Sequence, residues 1–235
     1  MAVTFYDNLP INQDIVLDWP LSEGLGSLVH YQSKSEITGT LHGTMAPLWA
    51  AATGQPFYGI YLFNTWNQYA SAPAADTANL DFTSGDYALS CWLNWQDYAT
   101  SQIVMGKYVV DVRGWEVYLF KAGALDYLTV RHHHAGGLTN RTASYSLGWT
   151  PGTLHLFGVD RIGTAHQHYR NGQPIPTVSS VLIDPVSSAA SDLVVGIRYT
   201  LDVNKYRGYI GRPRAWSRAL GAAGHRQLFA QGNAQ

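Results

Sequence analysis

The chain has 235 residues, a formal net charge of −1 and only 13% charged residues, against about 25% in a typical soluble domain. This length can fill one hydrophobic core, and the balanced charge argues against nucleic-acid binding. No stretch approaches the roughly 20 consecutive apolar residues of a membrane span, so we expect no membrane insertion.

Apolar residues alternate with a period of two along much of the chain, which is typical of half-buried strands. In chain order, strands are predicted over 116–120, 127–131, 154–160, 165–170 and 193–197. Asn171 and Gly172 predict a tight hairpin turn, because both tolerate positive φ. Residues 47–56 and 70–78 are predicted as loops, and a short helix is predicted over 218–230.

The closing segment is the most informative part of the sequence. It reads YRGYIGRPRAW over 206–216, followed by SRAL over 217–220. Together with blocks over 17–26, 41–43, 60–71, 86–93 and 149–175, it resembles the laminin-G-like, concanavalin A-like jelly rolls. The resemblance implies an all-β fold: a two-sheet antiparallel β-sandwich with a short C-terminal helix. We expect an N-terminal arm over 1–14 and one jelly-roll domain over 15–235.

Calcium is the usual ion of the family that the sequence resembles. Gly211 and Asn64 stand where many members carry aspartate, and a calcium site needs about six oxygen ligands. Asp81 and Asp86 remain possible ligands. We therefore expect no cofactor, with calcium kept as an alternative.

An enzymatic function needs an acid, a base or a metal. The chain has three glutamates, Glu23, Glu36 and Glu116, and none lies in the paired-carboxylate pattern of the hydrolases that share this fold. Residues 118–123 and 102–104 resemble two strands of jelly-roll alginate lyases. Val104 and Leu125 occupy the positions of their catalytic histidine and tyrosine, which leaves no path for a proton. No catalytic residue is predicted.

Two histidine pairs raise the possibility of a metal site. His132 and His134 alternate on one predicted strand, and His166 and His168 alternate on another, so imidazoles from neighbouring strands could converge on zinc or nickel. No carboxylate or thiolate accompanies them in sequence. A polar, partly exposed sheet face is the alternative that we favour.

Aromatic residues give the best indication of ligand binding, since the chain has eight Trp and fifteen Tyr. Sugar rings stack on such side chains. For Trp92, on the even face of a strand whose odd residues are apolar, packing beneath a covering segment is the alternative. The candidate ligand-binding residues are Trp66, Tyr69, Trp92, Trp115, Tyr118, His132 and His134.

Charge is distributed unevenly along the chain. Residues 1–100 hold nine acidic residues and one basic residue, whereas the residues after 195 hold seven basic residues and one acidic residue. Pairing between neighbouring N- and C-terminal strands is one explanation, and head-to-tail contact between copies is the other. The single cysteine, Cys91, excludes an internal disulfide and is predicted to lie in the core.

These observations predict a non-catalytic binding or assembly protein. The sequence start lacks a signal-peptide pattern, there is no disulfide and charge is low, so we expect a phage virion component such as a capsid decoration, tail or adhesion protein. Its partners would be other virion proteins or cell-surface glycans, in a homo-oligomer or larger assembly. One alternative is a free carbohydrate-binding lectin module, extracellular by a non-classical route. Another is a polysaccharide lyase or hydrolase with an atypical site.

Overall fold

The computed structural model describes residues 8–44, 48–51, 58–96, 100–122, 125–137, 139–144, 149–179, 181–198, 200 and 204–233. Within these ranges the strands are β1 (Ile15–Asp18), β2 (Leu28–Val29), β3 (Gly39–His42), β4 (Leu48–Ala51), β5 (Tyr58–Leu62), β6 (Tyr69–Ala72), β7 (Tyr87–Trp95), β8 (Gln102–Val109), β9 (Arg113–Ala122), β10 (Leu125–His133), β11 (Thr139–Ser144), β12 (His155–Ile162), β13 (Ala165–Arg170), β14 (Gln173–Ile175), β15 (Thr177–Ser179), β16 (Leu193–Val195) and β17 (Gly208–Trp216). Two 3₁₀ helices span Pro10–Asn12 and Ala74–Leu80, and the helix α1 spans Gly221–Asn233.

The strands form two antiparallel sheets, as predicted. The eight-stranded sheet has the order β14-β13-β12-β7-β17-β5-β4, with β1 paired to β17. The nine-stranded sheet has the order β15-β11-β10-β9-β8-β16-β6-β3-β2. Asn171 and Gly172 have φ angles of 50° and 76°, which confirms the predicted turn between β13 and β14. None of the helices in the described ranges has the length and hydrophobicity required to cross a bilayer.

The main core lies between the sheets and follows the predicted alternation. On β7, Leu89, Cys91, Leu93 and Trp95 face this core and are fully buried. Cys91 is a free, buried thiol, as predicted. Burial of this apolar surface is the main force that holds the two sheets together.

A second apolar cluster lies on the outer face of the eight-stranded sheet. It contains Trp92, Trp216 and Leu228, with Phe229 packed against it. The rings of Trp92 and Phe229 are 5.8 Å apart. Trp92 is only 3% exposed because α1 covers it.

The helix starts three residues later than predicted, at Gly221. The buried carboxylate of Asp160 accepts hydrogen bonds from the backbone N–H groups of Leu220 (3.1 Å) and Gly221 (2.8 Å). It also binds Nε2 of His225 at 3.0 Å. A carboxylate at this position satisfies free N–H groups at the helix start, so a residue on β12 determines where the helix begins.

Two predicted loops were partly wrong. Part of 47–56 forms β4, and 70–78 contains the end of β6 and most of the second 3₁₀ helix. Residues 52–56 lie outside the described residues. Both strands have only four residues, so their sequence patterns are weak. Pairing with neighbouring strands stabilises them: β4 pairs with β5, and β6 pairs with β3 and β16.

The opposite charges of the two chain ends pair within the molecule. Strand β1 pairs with β17, and the Asp18 carboxylate accepts two hydrogen bonds of 3.1 Å from Arg212. Arg218 and Asp14 form a longer, exposed ion pair at 3.8 Å. These two pairs support the intramolecular explanation for Asp14 and Asp18.

Candidate functional site

The structure separates the seven predicted ligand-binding residues by exposure. Five of them are at most 5% exposed: Trp92, Trp115, Tyr118, His132 and His134. The other two, Trp66 and Tyr69, are half-buried at the surface. A ligand arriving from solvent can therefore contact Trp66 and Tyr69, whereas the other five serve the packing of the fold.

Trp66 belongs to a group of half-buried aromatic side chains, which we call the end patch: Tyr61, Phe63 and Trp66. The ring of Phe63 lies 4.9 Å from Tyr61 and 4.7 Å from Trp66. The end patch lies at the end of β5 and in the turn that follows it. The His42 and Tyr69 rings form a separate half-buried pair on the nine-stranded sheet, stacked at 4.6 Å with an interplanar angle of 18°.

Backbone hydrogen bonds fix the turn that presents Trp66. The carbonyl oxygen of Trp66 accepts from the N–H of Thr44 at 3.0 Å and from its hydroxyl at 3.1 Å. The N–H of Trp66 donates to Phe63 O, and the N–H of Phe63 donates to the Gln68 side chain at 2.6 Å. The backbone of this turn is therefore held by hydrogen bonds without a ligand, which reduces the entropy cost of binding.

Three of these surface aromatic residues were not predicted: His42, Tyr61 and Phe63. Alternation could have indicated Tyr61, because its neighbours Ile60 and Leu62 belong to the core and it must face outward. His42 is brought beside Tyr69 by the pairing of β3 with β6, which local sequence does not encode.

Glu116 lies on the outer face of the nine-stranded sheet and is engaged by two guanidinium groups. One oxygen accepts a short hydrogen bond from Arg131, and the other lies 3.7 Å from Arg198 Nε. Arg131 sits over the rings of Tyr108 (4.3 Å) and Tyr118 (4.7 Å). Burial raises the pKa of Glu116, and the two arginines oppose this effect. Both carboxylate oxygens thus have structural partners.

The resemblance to alginate lyase strands does not extend to a common surface. Val104 is fully buried in the core. Gln102 is also buried, where its side chain donates to Gln96 O at 3.0 Å and accepts from the N–H of Arg207 at 2.8 Å. Gln102 thereby holds two loops together.

The predicted histidine pairs are not partly exposed, because His132, His166 and His168 point into the interior between the sheets. With Tyr87 and Thr142 they form a series of hydrogen bonds, which we call the histidine chain. In the described part of the protein, no three His, Cys, Asp or Glu side chains are placed to hold a metal ion. The prediction of a partly exposed histidine face was therefore wrong, because all four histidines are at most 5% exposed.

Gly211 lies under an aromatic ring. A Cβ atom added there would be 2.5 Å from the hydroxyl oxygen of Tyr209. An aspartate at this position would therefore displace the Tyr209 ring.

Comparison with known proteins confirms the family that the sequence resembles. The sequence profile of the concanavalin A-like lectin/glucanases superfamily, in its laminin G form, matches residues 64–224. The chain belongs to this superfamily. A search of curated proteins gave no match.

Solved structures with the same fold include binding domains of clostridial toxins. The binding domain of Paraclostridial Mosquitocidal Protein 1 is 13% identical, with a TM-score of 0.70 over 94% of this chain and 53% of that one. The botulinum neurotoxin serotype G binding domain is 12% identical, with a TM-score of 0.71 over 92% and 51%. The binding domain of botulinum neurotoxin DC, in complex with rat synaptotagmin II, is 12% identical, with a TM-score of 0.66 over 94% and 52%. This superfamily member thus spans about half the length of those domains.

Proposed function

We propose that this protein is a non-catalytic adhesion protein that binds cell-surface glycans through the end patch. The observation that carries the proposal is the group of half-buried rings around Trp66. Apolar sugar faces pack against such rings, while sugar hydroxyl groups bind nearby polar side chains. Asn64 and Asn67, in the same turn, supply side-chain amides.

Two further observations support a binding role over catalysis. Both oxygens of Glu116 lie beside arginines, so this carboxylate is a poor candidate for an acid or nucleophile. The structures with the same fold described above are named as binding domains, one of them in complex with rat synaptotagmin II. At 12–13% identity they support the class of function and not a particular ligand.

The proposal is tested by binding to a glycan array and to intact cells. Trp66→Ala should lower the affinity for any glycan that binds by about tenfold or more, which corresponds to about 1.4 kcal/mol. Phe120→Ala is the matched control, because Phe120 is 42% exposed and is not part of the end patch. Equal affinities of the two variants, or no binding to any glycan, would overturn the end patch as the binding site.

We further propose that the protein acts in a phage virion. Exposed apolar side chains near the edge strand β2 support assembly with other copies or virion proteins: Leu25 (78%), Leu28 (51%) and Tyr31 (39%). Isolated apolar residues are common on surfaces, but a neighbouring group favours a protein contact. Mass spectrometry of purified particles tests this placement, and light scattering of the purified protein tests self-association. A protein that is absent from particles and monomeric would contradict the virion proposal and leave the glycan proposal intact.

A further inference from the structure

The histidine chain joins the two sheets through the interior of the sandwich. The hydroxyl of Tyr87 lies 2.8 Å from Nε2 of His132 and 2.8 Å from Nε2 of His166. The hydroxyl of Thr142 lies 2.8 Å from Nδ1 of His166 and 3.0 Å from Nε2 of His168. Tyr87, His166 and His168 belong to the eight-stranded sheet, and His132 and Thr142 to the nine-stranded sheet. Three of these four bonds therefore cross between the sheets.

The bonds of the histidine chain can all form while every imidazole is neutral. A neutral imidazole donates from one nitrogen and accepts at the other, which lets all hydroxyl protons point the same way along the histidine chain. A protonated His166 would donate from both nitrogens, and the hydroxyl groups of Tyr87 and Thr142 would then accept from it and donate on to His132 and His168. The bonds alone therefore admit a proton on His166, but that proton would be an unpaired buried charge, which is costly.

The surroundings also disfavour a positive charge. All five side chains are at most 5% exposed. Phe82 stacks on Tyr87 at 4.5 Å, and Phe157 meets the edge of His168 at 6.1 Å.

The charged groups that act on the histidine chain are Arg161, on β12, and Asp184, which forms a short ion pair with Arg161. Arg161 repels a proton on His132 or His166, and Asp184 partly offsets this for His132. A backbone hydrogen bond with Ile183 also favours the protonated form of His132. Burial and Arg161 have larger effects in the opposite direction, so the pKa of His132 is lowered.

We propose that the histidine chain is an acid-sensitive lock, which joins the two sheets at neutral pH and opens this end of the sandwich when its imidazoles take up protons. Opening would release the segment 181–188, which lies over this end. Two backbone hydrogen bonds hold that segment: the N–H of Leu182 donates to Thr164 O (2.9 Å), and the N–H of Val186 donates to His133 O (2.8 Å). The lock is separate from the end patch and does not depend on the proposed glycan binding.

The sign of the pH effect follows from burial. Burial is the main cause that lowers the pKa of His132 to about 4, that of His168 to about 3, and that of His166 well below its usual value of 6.5. The folded protein therefore excludes protons that an opened or unfolded chain binds. The closed state is fully favoured above about pH 6.5 and is progressively lost as the pH falls below that value.

Hydrogen exchange measured by mass spectrometry at about pH 7 and about pH 5, corrected for intrinsic rates, tests the lock. In the wild-type protein, acid should accelerate exchange by about tenfold or more in β10, β13 and 181–188, while β5 and β17 stay protected. His166→Gln should suppress this acceleration, because the glutamine amide can donate from its NH2 group and accept at its oxygen but does not titrate. The His166→Gln protein should also take up about one proton fewer than the wild type on unfolding, as measured from the pH dependence of stability.

His30→Gln is the control, because His30 is exposed and outside the histidine chain, and it should behave as the wild type. If His166→Gln fails to fold, His132→Gln provides the same test at one end of the histidine chain. Acid acceleration that is equal in the wild type and the glutamine variant, or that is uniform over all strands, would overturn the proposal.

Discussion

The carboxylate of Asp160 should contribute a large part of the stability of the fold through the docking of α1. Asp160 is fully buried and accepts hydrogen bonds from Leu220 N, Gly221 N and His225 Nε2, and its carboxylate also forms a hydrogen bond with the Tyr169 side chain. Each hydrogen bond to a charged group contributes about 1.5–3 kcal/mol, although bonds that share one acceptor are not additive. Removal of one partner from a buried pair costs about 3–5 kcal/mol.

We therefore expect Asp160→Ala to lower the free energy of unfolding by about 4 kcal/mol, a large fraction of the roughly 5–15 kcal/mol of a typical domain. Asp160→Asn keeps one acceptor oxygen and should cost about half as much. Urea denaturation, followed by tryptophan fluorescence, measures both. Because α1 covers Trp92, the alanine variant should also change the native emission spectrum.

The matched control is Asp14→Asn, which removes an ion pair whose carboxylate is half exposed. Such pairs contribute under about 1 kcal/mol. A loss of less than about 1 kcal/mol for Asp160→Ala would refute this reasoning and would mean that apolar contacts alone hold the helix.

Further predictions concern buried groups. Burial lowers the pKa of Lys107 to about 8, so stability should rise by up to about 2 kcal/mol from pH 8 to 9.5; urea titrations should show this rise abolished by Lys107→Met but not by Lys34→Met. In Gly158→Ala the new Cβ would lie 2.3 Å from His225 Nδ1, which should lower the Tm and cost roughly 1–3 kcal/mol. Burial raises the pKa of the Cys91 thiol, so a thiol reagent should label it only as fast as the native protein opens.

Much of the fold could be predicted from the sequence because strand alternation is a local signal. The odd residues of β7 face the core as predicted, and Asn171-Gly172 forms the predicted turn. The helix start could not be placed correctly, because Asp160 lies about sixty residues earlier in the chain. The short strands β4 and β6 were taken for loops, since their stability comes from partner strands.

The candidate site was less predictable, for a different reason. A strand pattern indicates which side chains share a face but not what covers that face. Trp92 lies on the predicted outer face, and the alternative that a further segment covers it is confirmed, but the sequence did not identify α1 as that segment. The histidines at 132, 166 and 168 were expected on a partly exposed face, but they meet between the sheets.

The sequence by itself determined the two-sheet architecture, the family and the position of Cys91 in the core, because alternation and turn residues act over a few positions. The tertiary structure alone decided which aromatic residues contact solvent and that three histidines form one buried chain. Those properties depend on strands that are far apart in sequence and adjacent in space, so no local pattern could encode them.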